Sequence, residues 1–101
     1  MTNNPLEKDV EAKFRQMIER HKGLCLKWVC PGWAGVPDRI CIFPGGRVAF
    51  AETKRPKGSR TARLQTYWAD KLKSFGFTHS FVFTYEDVKE FERKIFGPET
   101  T

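Results

Sequence analysis

Apolar positions along the chain recur first with the period of a helix and then with that of a strand. Leu6, Val10, Phe14, Met17 and Ile18 repeat at three and four, which predicts a helix over 6–22, stopped by Gly23 in a left-handed conformation. The run LCLKWV predicts a strand over 24–29 and DRICIF a second over 38–43, with the loop CPGWAGVP between them. Pro44-Gly45-Gly46 predicts a tight turn into RVAFAET, a strand over 47–53, so these two strands form an antiparallel hairpin. Beyond the loop KRPKGSR, the residues Leu64, Trp68, Leu72 and Phe75 share one stripe of a helix over 62–75, with Thr61 as N-cap and Gly76 as stop. HSFVF predicts a strand over 79–83, and Thr84 with Asp87 caps a last helix over 85–96. The order α-β-β-β-α-β-α predicts an α/β fold, a mixed sheet with helices packed on its faces.

A chain of 101 residues has room for one core, so a single domain is expected over 1–101. Apolar residues make up 40% and charged residues 30%, a globular balance that excludes disorder. No apolar run approaches the roughly 20 residues of a membrane span. The opening MTNNPLEKDVEAK lacks the apolar stretch of a signal peptide, so a soluble cytoplasmic domain is expected. Cys25, Cys30 and Cys41 are an odd number, which allows no disulfide framework. Zinc, with His21 as a fourth ligand, would want a CxxC or HxxxH pair, and neither is present. Cys25 and Cys41 sit in strand-like runs, where a free thiol acts as a small core residue.

Charge narrows the choice of partner. The formal net charge is +6. Residues 54–73 carry Lys54, Arg55, Lys57, Arg60, Arg63, Lys71 and Lys73 against one acid, Asp70, which accounts for the whole excess. Such a cluster points to a polyanion, most simply nucleic acid, although a solvated helix face would look the same.

Several acids stand where a purely structural chain would not need them. On the first helix, Glu7 and Glu11 lie about 20° to either side of Ile18, at the rim of the apolar stripe. Rim carboxylates near a helix N-terminus also serve the helix dipole. On the third strand, Val48, Phe50, Glu52 and Lys54 share one face, so a carboxylate and an ammonium sit two residues apart at the mouth of a core. A strand-end ion pair is the plain alternative. Asp38 opens the neighbouring strand, behind Pro37, which fixes the chain entering it. Counted outward from the turn at Gly45, Asp38 and Glu52 fall side by side. Two adjacent carboxylates repel unless a positive charge joins them, either Lys54 or a hard divalent cation. Gln65 lies about 20° from Leu72, at the edge of the second helix's stripe.

Glu11, Gly35-Val36-Pro37-Asp38, Glu52-Thr53-Lys54 and Gln65 together resemble the VRR-NUC nucleases, a branch of the PD-(D/E)xK superfamily with a restriction-endonuclease-like fold. The resemblance spans roughly residues 7–83. It implies an α-β-β-β-α-β core with an added C-terminal helix. It also implies that Asp38, Glu52 and the Thr53 carbonyl ligate Mg²⁺ or Mn²⁺, with Glu11, or Glu7 on the same face, completing the site. Lys54 would orient the attacking water and offset charge on the phosphate, and Gln65 would position Lys54 or the scissile phosphate. The family's valine-arginine-arginine lettering is not obvious here.

These residue types suit phosphodiester hydrolysis, where a divalent ion reverses the repulsion between two acids and a polyanion and Lys54 reinforces it. Arg55, Lys57, Arg60 and Arg63 follow the catalytic strand and would grip phosphates beside the cut, which gives affinity without base sequence. Trp28 and Trp33 flank the loop before Asp38 and would either pack in the core or stack on an unpaired base. The leading expectation is a metal-dependent, structure-selective DNA endonuclease. The resemblance adds a Holliday-junction resolvase acting as a homodimer, whose two-fold symmetry would match a junction. A nicking or flap endonuclease, a non-catalytic DNA-binding module of the same fold and a basic structural protein are the alternatives.

Overall fold

The computed structural model describes residues 6–98; the ends of the domain expected over 1–101 lie outside them. The elements are α1 (Glu7–Arg20), β1 (Leu24–Lys27), β2 (Arg39–Phe43), β3 (Arg47–Glu52), α2 (Ser59–Ser74), β4 (Thr78–Phe81) and α3 (Tyr85–Phe96), in the expected order. They build one mixed sheet ordered β1-β2-β3-β4. The first three strands are an antiparallel meander, and α2 carries the chain over to β4, which runs parallel to β3.

The hairpin follows from its two turn glycines, Gly45 and Gly46, both at positive φ (88° and 79°), a conformation open to residues without a Cβ. The register pairs Arg39 with Ala51 and Phe43 with Arg47, so Asp38 and Glu52 fall opposite one another, as counted from the turn. On one face of the sheet, Val10, Phe14, Met17 and Ile18 of α1 meet Val88, Phe91 and Ile95 of α3 over Cys41, Phe43, Ala49 and Ala51. Phe14 and Phe91 pack edge to face with ring centroids 4.9 Å apart. Burying each such ring contributes about 2–3 kcal/mol. On the other face α2 packs against β4.

Most elements differ from expectation by one to three residues at an end, and four of these differences have a local reason. Leu6 is exposed and extended, and only caps α1. The left-handed residue after α1 is Lys22 (φ 67°), not Gly23. Gly23 is required for close approach, since a Cβ there would sit 2.7 Å from the Phe43 ring. Thr61 is not the N-cap of α2, because the helix already begins at Ser59, behind Gly58 at φ 134°, and Thr61 lies in its first turn. β4 stops early because the Asp87 carboxylate accepts the N–H groups of Phe83 (2.9 Å) and Thr84 (3.1 Å), drawing both into the cap of α3. That capping box is the one the sequence predicts.

His79 on β4 is fully buried, and neither ring nitrogen has a hydrogen-bond partner. Burial, then repulsion by Lys73 and Lys94, holds its pKa down at about 4. The unfolded chain therefore takes up a proton that the folded chain resists. This contribution is intact above about pH 6.5 and is lost as pH falls toward 4, amounting to about 2–3 kcal/mol. His79→Phe is expected to abolish that loss. Urea unfolding midpoints of the two proteins should diverge in favour of the variant between neutral pH and pH 4.5, and parallel curves would refute the assignment.

Candidate active site

The site gathers where β2 begins and β3 ends. Pro37 is fully buried and delivers Asp38 to the sheet. The Trp28 N–H donates to the Asp38 carbonyl (2.9 Å), tying β1 to the same point. The Asp38 carboxylate is held by the opposite strand. Oδ1 accepts from the Thr53 N–H and from the Thr53 hydroxyl, and Oδ2 accepts from the Lys54 N–H, each at 3.0 Å. Three donors aimed at one carboxylate fix its position.

Glu52 lies on the same face, only 3% exposed, and its Oε2 has no hydrogen-bond partner. Burial, then the charge of Asp38, pushes its pKa up to about 9. A carboxylate held apart from water, beside another carboxylate, is an arrangement that structural needs alone do not call for. The pair offers hard oxygen donors, one of them unsatisfied, which suits a divalent cation such as Mg²⁺.

The other expected residues converge on this strand end to different degrees. Thr53 is buried with its hydroxyl on Asp38. Lys54 presents its side chain to solvent, while its carbonyl accepts from the Gln65 side-chain amide (3.4 Å). Gln65 is deeper than its wheel position implies, because Gln65, Ala69 and Leu72 form the buried line of α2, and Phe75 stays exposed. The two acids of α1 part company. Glu7 accepts from the Arg55 N–H (3.1 Å), next to the site. Glu11 is taken by Arg39 (3.1 Å), the residue after Asp38. Glu11 therefore does not join Asp38 and Glu52, and among the described residues no group of three or more His, Cys, Asp or Glu could hold a metal. The missed signal was Arg39 itself, whose place on the α1-facing side of β2 follows from strand alternation.

The positive groups are free for an anion. Arg55, Lys57, Arg60 and Arg63 are exposed, and none forms an ion pair among the described residues. The Arg55 guanidinium lies 4.9 Å from the centroid of the Phe83 ring. Trp33 is exposed at the loop before Asp38, whereas Trp28 packs on Phe50 with ring centroids 5.2 Å apart.

No family model matches the chain. "Putative nuclease p44" of Acyrthosiphon pisum secondary endosymbiont phage 1 is 36% identical over 50 residues, covering 50% of this chain and 54% of that protein. The chain thus matches about half the length of that curated relative. A solved structure described as "VRR_NUC domain" superposes with a TM-score of 0.72 at 24% identity, covering 83% of this chain and 90% of that one. The fold is that of a VRR_NUC domain.

Within this VRR_NUC fold the loop before Asp38 is clamped on α2. Gly35 has φ 85°, and a Cβ there would come within 2.4 Å of the Leu64 Cβ and 2.8 Å of its backbone carbon. Gly35→Ala combines left-handed strain with a backbone clash, so it is expected to destabilise the domain by about 2–4 kcal/mol. A thermal melt checks this, and an unchanged midpoint would show that the loop does not press on α2.

Proposed function

We propose that this chain is a metal-dependent DNA endonuclease of VRR-NUC type that prefers branched DNA. The observation that carries the reading is the Asp38–Glu52 pair, two carboxylates on one face with a buried, unpartnered oxygen. Asp38 and Glu52, with the Thr53 carbonyl, would hold Mg²⁺ or Mn²⁺, which when bound acts as a Lewis acid on a phosphate oxygen and lowers the pKa of a water. Lys54 would orient the water whose oxygen bonds to phosphorus, and would offset the negative charge that grows on the phosphoryl oxygens and the departing sugar oxygen as the P–O bond to the sugar breaks. Gln65, through the Lys54 carbonyl, and Asp38, through the Lys54 amide, hold the backbone from which that lysine extends. Glu11 and Glu7 act from α1 by fixing Arg39 and the backbone at Arg55.

A Holliday-junction resolvase working as a homodimer is the finer form of this proposal. Supporting it, β1 is a sheet edge with Leu24 and Leu26 exposed, and Val29 is exposed just beyond its end, apolar surface suited to a second copy. Among the described residues no helix is long and apolar enough to cross a membrane. The cytoplasm of a bacterium or of a phage-infected cell is the proposed setting. Incubation with junction, flap, nicked and plain duplex DNA in Mg²⁺, Mn²⁺ or EDTA tests the reading, alongside a mass measurement in solution. Metal-dependent cutting of the branched substrates is expected; binding without cutting in either metal would leave a DNA-binding module. Arg60→Ala with Arg63→Ala is expected to weaken DNA binding and lower the slope of log affinity against log salt by about 1 per lost phosphate contact. An unchanged slope would remove α2 from the contact surface.

A further inference from the structure

We propose that the exposed side of α2, together with Trp33, is a seat for unpaired DNA bases. This inference rests on the nuclease reading for its link to a cut, but not for the binding itself. Trp33 and Tyr67 are large aromatic residues left 62% and 55% exposed. Both lean on Trp68, edge to face, with ring centroids 5.8 Å and 5.5 Å away. Trp68 is itself immobilised, since its Nε1–H donates to the Ala34 carbonyl (3.0 Å). The platform is therefore rigid before any ligand arrives, which lowers the entropy cost of stacking on it.

Charge on the same helix identifies the occupant. Arg60, Arg63, Tyr67 and Lys71 follow one another at three, four and four residues, so they form a single stripe along α2. The stripe is about 16 Å long. Arg60, Arg63 and Lys71 form no ion pair among the described residues. Cations spaced along an exposed aromatic suit a chain that carries phosphates on one edge and flat apolar rings on the other. Duplex DNA hides its ring faces in the stack, whereas single-stranded DNA presents them. Apolar protein surface would satisfy the rings but leave the cations unmatched. The seat is also coupled to the site, because the Trp33–Asp38 loop is pressed on Leu64 of α2 at Gly35. A base splayed from a branch point would rest here, with the strand running on toward the end of the hairpin that carries the Asp38–Glu52 pair. This supplies a physical source for branch preference that base-edge contacts do not require.

Fluorescence anisotropy with a labelled oligothymidine and a labelled blunt duplex, in EDTA and low salt, tests the seat without chemistry. Trp33→Ala with Tyr67→Ala is expected to weaken oligothymidine binding by about tenfold or more and duplex binding by less than about threefold. Trp33→Phe with Tyr67→Phe keeps the ring faces and is expected to retain oligothymidine binding within about threefold. Circular dichroism melts establish that the exposed substitutions leave the fold intact. Equal losses on both DNAs, or no loss on either, would overturn the proposal. An intact difference between the two DNAs in a protein that cuts nothing would instead refute the nuclease reading and leave the seat standing.

Discussion

Asp38→Ala should reduce metal-dependent cleavage by on the order of 10³-fold or more, and it should also loosen the strand end that carries Lys54. Both effects follow from one carboxylate doing two jobs. Its charge supplies half of the acid pair, and its two oxygens accept from the Thr53 amide, the Thr53 hydroxyl and the Lys54 amide. Alanine leaves those donors unmatched, and Thr53 is buried where water cannot replace the loss. The expected destabilisation is about 2–4 kcal/mol. Asp38→Asn separates the jobs. The amide oxygen can still accept from Thr53 on one side, while the amide nitrogen faces the Lys54 N–H and the charge is gone. Asn should therefore melt closer to wild type than Ala and yet cleave as poorly. Initial rates on labelled junction DNA and thermal melts of both variants decide it. Cleavage by Asp38→Asn within about tenfold of wild type would mean that the carboxylate charge is not needed for the chemistry.

The pairing that brings Asp38 to Glu52 was legible because register in a two-glycine hairpin is set by the turn, and strand alternation does the rest. The apolar stripe of α1 from Val10 to Ile18 was legible for the same reason, since periodicity survives whatever packs against it. Long-range partners were not. Glu11 and Glu7 look equivalent on a helical wheel, and only the placement of Arg39 and of the Arg55 amide tells them apart. A helical wheel places Gln65 only at the edge of the stripe, because the partner that fixes it, the Lys54 carbonyl, belongs to another element. The start of α2 was misplaced by three residues because a threonine in a polar run looks like a cap, while the actual break is the backbone of Gly58. Strand alternation puts His79 on a face with Phe81, but nothing in the sequence shows that its ring nitrogens are buried without partners.

Glu52→Gln should make the metal-free protein more stable while removing its activity, and the size of that gain should depend on pH. Burial and the neighbouring Asp38 raise the Glu52 pKa from 4.5 to about 9. A raised acid contributes stability that is fully present below the unfolded value and is lost as pH climbs toward the folded one. At neutral pH the wild type has therefore forfeited about 2–3 kcal/mol of what it holds in acid. Glutamine never ionises, so the variant should gain most at pH 7–8 and little below about pH 4.5. Its amide can also donate to the Asp38 carboxylate, as the protonated acid does, without ever becoming a second negative charge beside it. Urea unfolding in EDTA at several pH values measures the gain. Adding Mg²⁺ should then raise the wild-type midpoint, because an ion bound by the folded state alone stabilises it by mass action, and should leave Glu52→Gln nearly unmoved. A variant that is less stable than wild type at pH 7.5, or one that Mg²⁺ stabilises as strongly, would break the link between the buried oxygen and the cation. If the link holds, the domain keeps an ionisable acid in a place where folding disfavours it, and the cation is what makes that placement tolerable.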